Sequence, residues 1–88
     1  MKADDLFKKC GYNKVNDSIY TRYKASTHYD YRYAFVDYIG VKPNNCGVIV
    51  TYQSRDNPDI YFSKIIPVKQ LKAIIQKCKE LGWLEEEQ

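Results

Sequence analysis

In the run Tyr29-Asp30-Tyr31-Arg32-Tyr33-Ala34-Phe35-Val36-Asp37-Tyr38, aromatic rings occupy Tyr29, Tyr31, Tyr33 and Phe35, every second position. That period belongs to a strand with two distinct faces, because a helix would scatter the rings around its axis. Tyr29, Tyr31, Tyr33 and Phe35 share one side, and Arg32, Ala34, Val36 and Tyr38 share the other. Parity alone leaves open which side is buried.

A second pattern covers residues 68–81, where Val68, Leu71, Ile74, Ile75, Cys78 and Leu81 recur at helical spacing. Pro67 suits the first turn of that helix, and Gly82 the position just past its end. A shorter helix is expected over residues 2–10, with Asp4 and Asp5 at its positive end, Lys8 and Lys9 at its negative end and Gly11 as the stop. Three more strands are expected over residues 19–25, 47–53 and 60–66. In the first, Ile19, Tyr23 and Ala25 should face the core and Tyr20, Arg22 and Lys24 should face outward. The third is rich in β-branched residues (Val48, Ile49, Val50, Thr51). Residues 13–18 read as a polar connection, 26–28 as a turn, and the 54–59 cluster as another.

The order is therefore α-β-β-β-β-α. Short connections favour a four-stranded antiparallel meander, and two helices with one apolar face each should pack together on one sheet face, an α+β sandwich. Leu6, Phe7, Val50, Phe62, Leu71, Ile74, Ile75 and Trp83 are the expected core. Residues 1–84 form one domain, followed by an acidic tail at 85–88.

Eighty-eight residues allow one modest core and leave no room for a cofactor domain beside a substrate domain. A charged fraction of 28% and a hydrophobic fraction of 44% argue for a folded chain. No apolar run is long enough to span a bilayer, and acids stand where a signal peptide needs its apolar stretch, so a cytoplasmic location without membrane contact is expected. The net charge is +3, and Glu85, Glu86 and Glu87 mask part of the basic excess: without them 8 acidic side chains face 14 basic ones. That excess is mild for a nucleic-acid domain, and no RRM-type motif is present.

Catalytic sets are missing. His28 lies in a turn without a fixed acid, and Asp30 and Asp37 fall on opposite faces of their strand, so no nucleophile–base pair or carboxylate pair can be assembled. Cys10, Cys46 and Cys78 include no CxxC pair, which leaves no metal site to expect; they read as reduced thiols. No cofactor is implied, and an enzyme is not expected.

The uncovered face of the sheet is the candidate for function. If the smaller residues of the aromatic strand are buried, three or four rings lie open there. If the rings are buried, the open face carries Arg22, Lys24 and Arg32 with isolated Tyr20 and Tyr38. Tyr20, Arg22, Lys24, Arg32 and Tyr38 are accordingly the candidate binding residues. Tyr beside Arg suits a protein interface, so a partner protein or self-association ranks ahead of single-stranded nucleic acid, where rings stack bases and cations neutralise phosphates. Equally, Tyr is a good strand residue whose ring packs across strands while its hydroxyl meets water.

The helical ends Leu6-Phe7-Lys8-Lys9-Cys10-Gly11-Tyr12 and Lys79-Glu80-Leu81-Gly82-Trp83-Leu84, with a Tyr-rich sheet between them, resemble short uncharacterised proteins of phages, prophages and integrative elements of Gram-positive bacteria. This chain has a longer insertion around residues 41–46. The resemblance implies a mobile-element setting and carries over no functional residue.

Overall fold

The computed structural model describes residues 1–15, 21–26, 31–40 and 46–84. Within them the chain runs α1 (Ala3–Lys9), β1 (Asn13–Val15), β2 (Thr21–Ser26), β3 (Tyr31–Ile39), β4 (Gly47–Ser54), β5 (Tyr61–Phe62) and α2 (Val68–Glu80). The strands pair in sequence order, every pair antiparallel, and both helices cover one face. The expected α+β meander is present, with five strands in place of four. Ile19, Tyr20, Thr27, His28, Tyr29, Asp30, the 41–45 insertion and the 85–88 tail lie outside the described residues.

The additional strand, β1, comes from the segment read as a polar connection. Asn13, Lys14 and Val15 carry no alternation, and they are strand because their backbone pairs with Lys24, Tyr23 and Arg22. At the other edge the expected strand over 60–66 shrinks to Tyr61 and Phe62, opposite Gln53 and Tyr52. Tyr61 and Phe62 cover only the Tyr52 and Gln53 end of β4, so residues 47–51 form an outer edge with no partner strand among the described residues.

Each helix stops by the same local device. Gly11 (φ 86°) and Gly82 (φ 76°) take up the left-handed conformation. After α1, the Gly11 N–H donates to Lys8 O (3.0 Å) and the Tyr12 N–H to Phe7 O (2.9 Å); after α2, Gly82 donates to Lys79 O (3.0 Å) and Trp83 to Cys78 O (2.9 Å). These are Schellman closures, which satisfy the last carbonyls and throw the following side chain back over the helix. Here that side chain is aromatic both times. The Tyr12 ring meets Phe7 edge-on at 5.9 Å, and Trp83 packs 6.1 Å from Tyr38.

The interlayer space is filled with rings. Phe7 stacks on Tyr23 with centroids 3.9 Å apart, and both meet Tyr38 edge-on at 6.3 and 5.9 Å. Ala3, Phe7, Tyr23, Ala34 and Val36 are fully buried. Of the expected core, Phe7 and Ile74 are buried, and Leu6, Val50, Phe62 and Trp83 pack partly buried against it.

Leu71 and Ile75 are a correction: they are 45% and 39% exposed. An α-helix turns one stripe at i, i+3, i+4, i+7 and i+8 inward, and on α2 the stripe over the ring layer is Gln70, Ala73, Ile74, Lys77 and Cys78. Lys77 lies along that layer, its ammonium 5.8 Å from the Tyr23 ring. Leu71 and Ile75 consequently share the outer side of α2 with Val68, which is 67% exposed.

Candidate binding site on the open sheet face

The aromatic strand is resolved by one irregularity. The β3–β4 register shifts between Tyr31 and Tyr33, where Tyr31 pairs with Ser54 and Tyr33 with Gln53. Arg32 is the extra residue of a β-bulge, which moves Tyr31, just before it, to the opposite face from Tyr33. Ala34, Val36 and Tyr38 are buried under the helices, Tyr33 and Phe35 lie on the open face, and Tyr31 is carried into the core beside Tyr52, centroids 5.4 Å apart. Four alternating rings therefore do not share a face.

Tyr38 leaves the candidate set. It is 3% exposed, wedged between Phe7, Tyr23 and Trp83, because its parity matches Ala34 and Val36. Tyr20 lies outside the described residues. Arg22, Lys24 and Arg32 remain, and strand pairing surrounds them with residues that parity in β3, β4 and β5 assigns to the same face: Lys24 faces Phe35, Phe35 faces Thr51, and Gln53 faces Tyr61. Between them lies a shallow depression of about 500 Å³ bordered by Arg22, Lys24, Tyr33, Phe35, Thr51 and Tyr61. Thr51, Gln53 and Tyr61 were legible from strand parity, but the sequence reading had no reason to single them out.

The cations are held, each differently. Arg22 Nε donates to Asp37 Oδ1 at 2.6 Å and Nη2 to Oδ2 at 3.2 Å, while its guanidinium carbon stands 4.5 Å from the Phe35 centroid. Lys24 Nζ is 4.1 Å from the Tyr33 centroid, and the Arg32 guanidinium lies 5.8 Å from the same ring. Each ring thus has a cation over it, an arrangement that fixes long side chains at positions where they would otherwise sample many rotamers. Gln53 is also committed, donating from Nε2 to Pro58 O at 2.8 Å, which ties the 54–60 turn to the sheet. Asp37 is the one carboxylate that the register of the described strands places on this face, and Arg22 neutralises it.

Elsewhere the chemistry is quiet. Among the described residues no three His, Cys, Asp or Glu side chains stand together as a metal site. Cys78 is buried, and that burial pushes its thiol pKa up, away from the reactive thiolate. No helix is long and apolar enough to cross a membrane among the described residues. The chain matches no family model, no curated protein and no solved structure.

Proposed function

We propose that this chain is a non-enzymatic interaction module of mobile-element origin whose open sheet face docks an acidic surface of a partner protein. The observation that supports this most is the depression itself, where Tyr33, Phe35 and Tyr61 stand beside Lys24, with Arg32 near the Tyr33 ring, and neither of those two cations is ion-paired among the described residues. Tyr and Arg carry much of the energy of protein interfaces, and rings already fixed by cation contacts lose little entropy on docking.

Base stacking is the weaker reading, because the cations over Phe35 and Tyr33 would have to be displaced before a base could lie on either ring. The test is a pull-down from host lysate with the intact chain and with Lys24→Glu and Tyr61→Ala variants of unchanged circular dichroism. The expected result is a partner lost with both variants; a partner retained by both rules out this face. Light scattering over a concentration series separates a second copy of the chain from a foreign partner. Anisotropy with labelled oligonucleotides tests the other reading, since binding through phosphates must weaken steeply as salt rises. No binding at low salt removes it.

A further inference from the structure

β5 opposes only Tyr52 and Gln53, so residues 47–51 of β4 have no partner strand on their outer side among the described residues. One bond fixes how the backbone groups point there. The Ser54 N–H donates outward to Ile60 O at 2.8 Å, and peptide groups alternate sides along an antiparallel strand. Tyr52, Val50 and Val48 therefore turn their N–H and C=O groups outward as well, while Ile49 and Thr51 turn theirs toward β3. Those of Tyr52 meet β5; those of Val48 and Val50 meet no described strand.

Nothing in the strand blunts this edge. Sheet edges are normally protected by charges, proline or a bulge. From Gly47 to Gln53 there is no charged residue and no proline, and the pairing with β3 runs without a shift. The opposite edge of the sheet, Asn13–Val15, is three residues long and carries Lys14. Apolar side chains flank the β4 edge on both faces. Ile49 shares the open face with Thr51 and is 51% exposed, while Val48 and Val50 pack half-buried on the helix side. Above them, α1 packs beside β1 and its Ala3 N–H holds Glu80 on one flank of α2. Leu71 and Ile75 lie on the other flank of α2, which therefore looks toward the β4 edge.

We propose that β4 pairs antiparallel with β4 of a second copy of this chain, joining the two five-stranded sheets into one. The open window selects the register. It is centred on Ile49, and β5 blocks any slip that would carry the second strand past residue 51. Val48 of each copy then exchanges both backbone bonds with Val50 of the other, and the two Ile49 side chains meet in the close pair between them. An occupant must be extended, uncharged, five residues long and unpaired along one side. β4 meets each condition, and no other described strand does. A specific interface takes about 800 Å² from each partner, roughly an eighth of this chain's 6408 Å². The edge with Ile49, Leu71 and Ile75 sits at the lower end of such areas, which makes the dimer a weak one. The pairing leaves the depression on the open face uncovered, so its failure would leave the interaction reading untouched.

Sedimentation equilibrium on the full chain reads the pairing directly. The mass should rise from one chain toward two between about 10 μM and 1 mM, the range of a weak interface. Ile49→Lys sets like charges face to face at the centre and should weaken the dimer by about tenfold or more. Lys24→Glu, two strands away on the open face, should leave it unchanged, which separates edge pairing from self-association through that face. Amide hydrogen exchange needs no variant. The Val48 and Val50 N–H groups should exchange freely in dilute solution and slow by about tenfold once nine chains in ten are paired. Any of four outcomes overturns the proposal: a monomer at every concentration, a dimer that survives Ile49→Lys with unchanged circular dichroism, a dimer lost in Lys24→Glu, or Val48 and Val50 amides whose exchange ignores concentration.

Discussion

Arg22 and Asp37 stand directly opposite each other in the β2–β3 register, and the guanidinium grips the carboxylate at both oxygens, at 2.6 and 3.2 Å. The Asp37 side chain is only 8% exposed, against 29% for Arg22. This pair makes Arg22 structural as well as a candidate contact, because it keeps a buried charge compensated. Arg22→Ala should destabilise the fold by about 1.5–3 kcal/mol in urea denaturation, the range for a hydrogen bond to a charged group. Lys24 is half-buried against the Tyr33 ring but compensates no buried charge among the described residues, so Lys24→Ala should change stability far less. Equal effects would mean that Asp37 does not depend on Arg22.

Neighbouring isoleucines of α2 should respond unequally. Ile74 is 9% exposed and Ile75 is 39% exposed. Ile74→Ala should cost about 2–5 kcal/mol, the usual range for emptying a buried aliphatic site. Ile75→Ala should cost less than about 1 kcal/mol, since little apolar area returns to water. A reversed order would place α2 in a different rotation about its axis.

Removing the Tyr38 hydroxyl should be harmless or beneficial. That group is buried and has no hydrogen-bond partner among the described residues. Tyr38→Phe keeps the ring contacts with Phe7, Tyr23 and Trp83 while relieving an unpaired polar atom. Thermal unfolding should shift by less than the equivalent of about 0.5 kcal/mol downward, or move upward. A larger loss would reveal a partner for the hydroxyl.

Acid should release α1. The Tyr23 hydroxyl donates to Asp4 and holds its carboxyl below the usual range; the Ala3 N–H, 2.7 Å from Glu80 Oε2, does the same for Glu80. Carboxyls lowered in the folded state contribute stability that is present above their unfolded pKa and lost as pH falls through the folded value. The loss should therefore begin near the ordinary carboxylate value of about 4 and grow below it. A helix of seven residues does not persist without such docking. Hydrogen exchange of the α1 amides should accelerate in acid, and Asp4→Asn with Glu80→Gln should flatten that dependence.

Alkali should unfold the domain from its centre. Burial pushes the hydroxyl pKa values of Tyr12, Tyr23 and Tyr38 well above the ordinary tyrosine range. A raised folded pKa means stability that is complete below the unfolded value of about 10 and is lost as pH rises beyond it. Denaturation midpoints should fall above that pH, and the tyrosinate absorbance of these three should appear together with loss of structure. Gradual ionisation without unfolding would contradict their burial.

Much of this was fixed by local physics. The period of two in β2 already separated Tyr23 and Ala25 from Arg22 and Lys24, and helix stops at Gly11 and Gly82 followed from the need for a left-handed residue. Those features depend on a few neighbouring residues, so the sequence determined them by itself: both helices, four of the five strands, and the cationic side of β2. Tertiary structure decided the rest. β1 exists only because β2 offers it a backbone ladder, as its own side chains show no pattern. The bulge at Arg32 depends on the partner strand, and it alone sends Tyr31 inward while Tyr33 stays out. Tyr38 was lost from the binding set because parity cannot say which face the helices will choose. Leu71 and Ile75 face water because the stripe of α2 over the tyrosine layer is the one through Ala73, Ile74 and Cys78. A periodic pattern gives the direction in which residues point relative to one another; what lies in that direction is a property of the assembled layers.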